Sequence, residues 1–163
     1  VTPHELNGRQ WRLPACFDKS FAPDLSELAA NKQMSESTVI EQLLATTFRV
    51  YMIGFLPGFP YMGGLPQSLA TPRLKTPRPR VPSNSIAIAG EMCAVYPWES
   101  PGGWNLIGRT PVCLFDLQHP QQPALLAAGD TVTWYEISHD EYTDLSVRCQ
   151  TGQTPREAFL YDT

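Results

Sequence analysis

Apolar positions change their period twice along the chain, and each change marks a change of element. Between residues 36 and 46, Val39, Ile40, Leu43 and Leu44 recur at helical spacing, and Ser35 ahead of them is a suitable N-cap, so this stretch predicts an amphipathic helix. A shorter helix is predicted over residues 25–31. Pro23 fits its first position, where a missing N–H costs nothing, and Asp24 fits the positive end of the helix. The two make a small helical hairpin near the N-terminus, preceded by a short strand at residues 12–16. From residue 48 the pattern tightens. Phe48, Val50, Tyr51, Met52 and Ile53 read as a strand, and shorter ones are predicted at 81–82, 85–89, 92–96, 105–108, 112–115 and 131–136, separated by Gly/Pro turns. Many short strands without helices between them predict a mainly β barrel or sandwich with a helical appendage, and exclude a doubly wound α/β sheet. Residues 1–143 read as one domain, and residues 144–163 as a final strand or extension with a polar tail.

Composition narrows the partners. The 163 residues carry 12 Lys and Arg against 16 Asp and Glu, a formal charge of -4, with 17% charged residues overall. That balance has no basic excess to hold a polyphosphate backbone, so neither nucleic acid nor an acidic membrane is expected as a partner. Cys16, Cys93, Cys113 and Cys149 form no close pair, and a domain of this size can bury enough surface without crosslinks. Free thiols and a cytoplasmic location are the expectation. His4, His119 and His139 are scattered without ligand spacing, so no metal site is predicted. The glycine patterns of phosphate-binding and dinucleotide-binding loops are missing, as is Gly-x-Ser-x-Gly around Ser100. Cys93 lies in a strand pattern, where inert burial is the simpler reading, and Glu99 and Asp116 are carboxylates beside turns.

The sixteen prolines are the anomaly, and their placement matters more than their number. The run GFLPGFPYMGGLP at residues 54–66 mixes stiff proline with permissive glycine, which fixes a loop in one shape. Phe55, Phe59 and Tyr61 within it either line an apolar groove or close the end of a barrel, with Gly58 and Pro60 shaping the turn. Next, TPRLKTPRPRVP at 71–82 presents Arg73, Arg78 and Arg80, planar forks suited to carboxylate or phosphate, together with Lys75. Such a segment is either a solvated arm or an anion-facing one. In ESPGGW at 99–104, Gly102 and Gly103 either offer backbone amides to an anion or simply turn the chain, and Trp104 either packs in the core or stacks on a ligand. Arg109, followed by Thr110, lies among apolar strand residues and needs a partner if buried. No complete acid, base or nucleophile set emerges from these residues. They read as half of a site.

The combination of GFLPGFPYMGGLP, TPR, SPGGW and IGRTP, within residues 12–137, resembles the C-terminal domain of the allophanate hydrolase subunit 1 family, also described as the KipI family or the B-type subunit of bacterial 5-oxoprolinase. The resemblance implies a cyclophilin-like β-barrel, with no implication of prolyl isomerase activity. It implies a non-autonomous subunit of an ATP-dependent 5-oxoprolinase, which opens 5-oxoproline to glutamate, with ATP used by the complex and not bound by this chain alone. The implied partners are a second barrel subunit of the KipA, or allophanate hydrolase subunit 2, type and a LamB/YcsF-type subunit. Two alternatives come with the family: inhibition of a sensor histidine kinase by protein binding, and a piece of a biotin-dependent urea carboxyltransferase. By the same resemblance Phe55, Gly58, Phe59, Pro60, Tyr61, Arg73, Arg78, Arg80, Gly102, Gly103, Trp104, Arg109 and Thr110 are substrate-binding or interface residues, with no catalytic role assigned. Typical members carry a further lobe ahead of the barrel, which the few residues before Arg12 do not supply.

Overall fold

The computed structural model describes residues 8–53, 59–116 and 124–160. Among them, nine strands and three α-helices follow in the order β1 (Gln10–Ala15), α1 (Leu25–Asn31), α2 (Glu36–Leu44), β2 (Phe48–Ile53), β3 (Pro60–Gly63), β4 (Arg78–Val81), β5 (Ser85–Ala89), β6 (Met92–Val95), β7 (Ser100–Gly102), β8 (Asn105–Arg109), β9 (Thr131–Glu136) and α3 (His139–Gln150). Seven strands form one sheet in the order β1-β9-β2-β3-β6-β5-β8, and β4 pairs with β7 as a separate ribbon. β1 runs parallel to β9, from Gln10 opposite Thr131 to Ala15 opposite Glu136, while the other neighbours are antiparallel. The two edges meet. Just past β1, Cys16 and Arg109 exchange backbone hydrogen bonds of 2.8 and 3.0 Å, so the sheet curls until its first and last strands touch. The architecture is therefore mainly β, a curled sheet with short helices near the N-terminus.

Strand alternation splits the apolar residues between two faces. In β5, Ile86 and Ile88 enter the large core with Cys93 and Val95 of β6 and Met62 of β3, where Trp11, Phe48 and Trp134 also lie. The helices close this core through Leu25, Leu28, Val39 and Leu43. On the opposite face Ala87, Ala89 and Ala94 provide a shallow floor for Phe59, Tyr96 and Trp104. Small residues beneath large rings are what allow a second cluster to sit there at interior density. At the head of β9, the buried carboxylate of Asp130 accepts from Trp11 Nε1, the Arg9 N–H and the Ala127 N–H, each at 3.0 Å, and holds the β1–β9 pair in register.

Several local expectations change. Ser35 caps α2 as predicted, its Oγ accepting from the Thr38 N–H at 3.1 Å. Asp24, by contrast, is itself the N-cap residue of α1 with no side-chain capping bond, which leaves Pro23 outside the helix. The strand predicted at 112–115 reduces to a single bridge between Phe115 and Ala124, because the Val112 N–H turns back to Thr110 Oγ1 at 3.3 Å. Two strands arise where proline argued for loops: β3 begins at Pro60, the strand position that tolerates a missing donor, and β7 contains Pro101 on a two-stranded ribbon. The final strand or extension from residue 144 is instead largely helical. Ser138 and Glu141 close a reciprocal capping box at the start of α3, and Leu145 and Cys149 of its inner side pack on the large core. All four cysteines are free thiols. Among the described residues no helix is long and apolar enough to cross a membrane.

Candidate functional site

The rings on the alanine floor form a continuous chain. Phe59 meets Tyr96 edge to face at 5.0 Å and Tyr61 at 4.9 Å, Tyr61 meets Trp104 at 5.9 Å, and the Arg73 guanidinium lies 5.8 Å from the Trp104 ring centre. Burial pushes the phenols of Tyr61 and Tyr96 up, with the Arg73 charge pulling weakly the other way, so both remain hydrogen-bond donors at neutral pH. The chain requires one glycine. A Cβ at Gly102 would lie 2.1 Å from the Tyr96 hydroxyl oxygen, so only glycine lets β7 cross this ring.

Beside the rings, between α1 and the segment 71–78, a groove of about 630 Å³ opens to solvent. Its cationic walls are Lys32, Arg73, Lys75 and Arg78, faced by Asp24 and Glu27. Two of these charges are already committed to each other. Arg78 donates Nη1 and Nη2 to the two carboxylate oxygens of Asp24 at 2.8 and 2.7 Å, and the same carboxylate accepts from the Leu106 N–H at 2.7 Å. This bidentate pair fastens the start of α1 to β4 and β8. Lys32 donates to the Ala70 carbonyl, which holds its half-buried ammonium in the groove wall. At the base, Asn105 is 8% exposed and donates Nδ2 to the carbonyls of Pro72 at 2.9 Å and Ile88 at 3.1 Å.

The predicted site residues therefore divide. Phe59, Tyr61, Arg73, Gly102 and Trp104 come together in the ring cluster, where Trp104 both packs in the interior and supports a guanidinium. Pro60 opens the strand that carries Tyr61. Gly103 sits next to the groove and accepts from the Leu74 N–H at 2.7 Å, which pins the basic segment to the ribbon. Arg78 spends its fork on Asp24. Arg80 is exposed on β4. Arg109 lies elsewhere, at the sheet seam, with its guanidinium 4.2 Å from the ring centre of Phe21 and its charge beside the Tyr142 phenol of α3. Thr110 is buried in the turn after β8. Phe55 and Gly58, like His4 and His119, lie outside the described residues. Ser100 donates to the Trp98 carbonyl at 3.3 Å, and burial pushes the Cys93 thiol up to about 12, which makes it unreactive as a nucleophile at neutral pH. Among the described residues no group of His, Cys, Asp and Glu could hold a metal ion. Sequence reasoning missed Asp24 as a salt-bridge partner, Lys32, Tyr96 and Asn105, each of which acquires its role only through contacts distant in the chain.

A curled β-sheet with this ring cluster and groove is a scaffold of recognisable descent. The chain belongs to the family described as carboxyltransferase domain, subdomain C and D, whose model matches residues 2–126. It is 45% identical over 141 residues to the B-type subunit of 5-oxoprolinase from Bacillus subtilis (strain 168), a match that covers 85% of this chain and 58% of the relative, so the resemblance read from the motifs holds. The chain thus spans under two thirds of the length of curated relatives from three bacteria that it matches. Among solved structures, a conserved uncharacterized protein from Pyrococcus horikoshii matches with a TM-score of 0.78 and 38% identity, covering 85% of this chain and 64% of that one. The Kluyveromyces lactis urea carboxylase shares the fold, with a TM-score of 0.74 at 21% identity over 90% of this chain and 15% of that one.

Proposed function

We propose that this chain is a non-autonomous subunit of an ATP-dependent 5-oxoprolinase complex, in which a lactam is opened to glutamate. The observation that carries the reading is its 45% identity to the B-type subunit of a bacterial 5-oxoprolinase. The site agrees with it chemically. Opening the ring of 5-oxoproline requires a grip on the substrate carboxylate and neutralisation of charge that builds on the activated carbonyl, and Arg73, Lys75 and Lys32 line one groove suited to both tasks. In this reading the sheet is a cyclophilin-like barrel. The half-buried Tyr61 and the exposed Arg80 face the second barrel subunit, with the buried Phe59 and Trp104 supporting them from beneath, and Phe55 and Gly58 are assigned to the same interface by the family motif. Pro60, Gly102 and Gly103 shape that interface and Arg78 braces it, while Arg109 and Thr110 hold the sheet seam and the turn after it. The LamB/YcsF-type subunit and ATP complete the chemistry in the cytoplasm.

The test is reconstitution. Purified chain mixed with both partner subunits should release glutamate from 5-oxoproline only when ATP is present, and leaving this chain out should abolish the release. Activity unchanged by the omission contradicts the proposal. The family description, carboxyltransferase domain, favours one other reading, a part of a urea carboxyltransferase. It predicts carboxyl transfer from carboxybiotin to urea in place of glutamate release.

A further inference from the structure

We propose that a hollow on the outer face of the sheet, between Tyr51 and Glu91, seats a lysine or arginine side chain of the second barrel subunit. The inference rests on the reading of this chain as one subunit of a complex. β2 and β3 lose register between Val50 and Met52, where three residues of β2 stand opposite Tyr61 and Met62 of β3. Tyr51 is the extra residue, and a bulge of this kind re-aims its side chain. The ring comes to lie over Gly63, where a Cβ would stand 2.0 Å from its Cε2 atom. A bulge and a glycine thus place one ring on the outer face, and that ring is still 61% exposed. Among the described residues Val147 is the only other large apolar side chain that stays exposed.

The ring borders a hollow of about 350 Å³, lined also by Gly63, Gly64, Leu65, Met92 and Glu91. Tyr61 and Gly63, two residues apart on β3, share a face of the sheet. Met92 lines the hollow and packs against the ring cluster, so the hollow continues the surface that Tyr61 turns to the second barrel subunit. Charge selects what fills it. Glu91 is exposed and has no hydrogen-bond or ion-pair partner among the described residues. Arg49, opposite Gly63 on β2, lies outside the lining, so the charge of the hollow itself is negative. An open ring beside a free carboxylate favours a cation, and the apolar floor of Leu65 and Met92 favours a cation carried on a methylene stem. Glu91 repels an acidic side chain, and an apolar one would bury its charge unpaired.

The experiment is titration calorimetry of the full chain with the purified second barrel subunit. Tyr51→Ala should weaken binding about tenfold or more, whereas Tyr51→Phe, which keeps the ring, should weaken it less than about threefold. Glu91→Gln should cost about tenfold and Glu91→Lys more, with melting curves unchanged because both side chains are exposed. Wild-type affinity in Tyr51→Ala overturns the contact. Wild-type affinity in Glu91→Gln overturns the cation as its occupant, and tighter binding by Glu91→Lys does so in favour of an acidic one. Self-association of the chain that Tyr51→Ala abolishes assigns the hollow to a second copy and equally overturns the proposal. If glutamate release by the reconstituted complex requires this chain while the Tyr51→Ala/Glu91→Gln variant binds as wild type, only the present inference falls. If the variant binds weakly and the wild-type complex releases no glutamate, the proposed activity falls and the contact stands. A wild-type chain that does not bind the second barrel subunit overturns both.

Discussion

The two ends of one basic segment behave as different materials. At its C-terminal end Arg78 is 28% exposed in its side chain, is gripped by a carboxylate 13% exposed, and ties a helix to two strands. At its N-terminal end Arg73 and Lys75 are exposed, and Arg73 rests on an indole with its fork free to meet a ligand. The residues come from one proline-rich run and carry the same charge. The fold separates them by supplying a fixed anion to one end and an open groove to the other, so the first works as a structural clamp and the second is the end that we propose binds a ligand.

The comparison can be broken from its structural side. Asp24→Ala strips Arg78 of its partner and the Leu106 N–H of its acceptor, leaving a half-buried guanidinium uncompensated. It should lower stability by about 3 kcal/mol, the largest effect expected of any single change discussed for this segment. Urea denaturation reads it, and a loss below about 1 kcal/mol would show that the clamp is ornamental. Gly102→Ala should cost about 2 kcal/mol by driving a methyl group into the Tyr96 phenol, and Tyr96→Phe in the same chain should recover part of the loss. Melting curves of the single and double variants decide the point. Lysine substitution separates the ends directly. Arg78→Lys gives up a bidentate grip and should cost about 1–2 kcal/mol, whereas Arg73→Lys should change stability by less than about 0.5 kcal/mol. Equal losses at the two positions would erase the distinction.

A smaller effect concerns the interior beneath both ends. Burial raises the Cys93 thiol from its ordinary value of 9.0 to about 12, so in the folded protein it keeps its proton where the unfolded chain loses it. Its contribution to stability is therefore complete below pH 9 and is lost as pH rises towards 12. At pH 8 the thiol should resist a maleimide until denaturant is added, and mass spectrometry of labelled peptides follows this.

Legibility in the sequence followed the range of the interactions. The cap at Ser35 and the spacing of Val39 and Leu43 are local, and α2 forms where they predict it. The capping box at Ser138 and Glu141 is equally local, so the sequence does hold the signal for α3; the spacing of Tyr142, Leu145 and Cys149 completes it. β3 and β7 are harder to read, because proline and glycine there argue against strands and only their neighbours' hydrogen bonds make them so. The site is least legible of all. Arginines are easy to find, but the separation of 54 positions between Asp24 and Arg78 hides which arginine is spent on the fold. Of the residues the family motifs marked, Phe59, Tyr61, Arg73 and Trp104 meet in one cluster, and the motifs gave no sign that Arg109 lies in a different region.

The central claim is that the open end of the basic segment, and not its clamped end, does the binding on which the complex depends. It is tested most directly by ATP-dependent glutamate release from complexes reconstituted with the Arg73→Ala/Lys75→Ala chain, its folding checked by its melting curve. We expect at least a tenfold loss of kcat/KM for 5-oxoproline with the melting temperature nearly unchanged. Full activity in that variant would contradict the account.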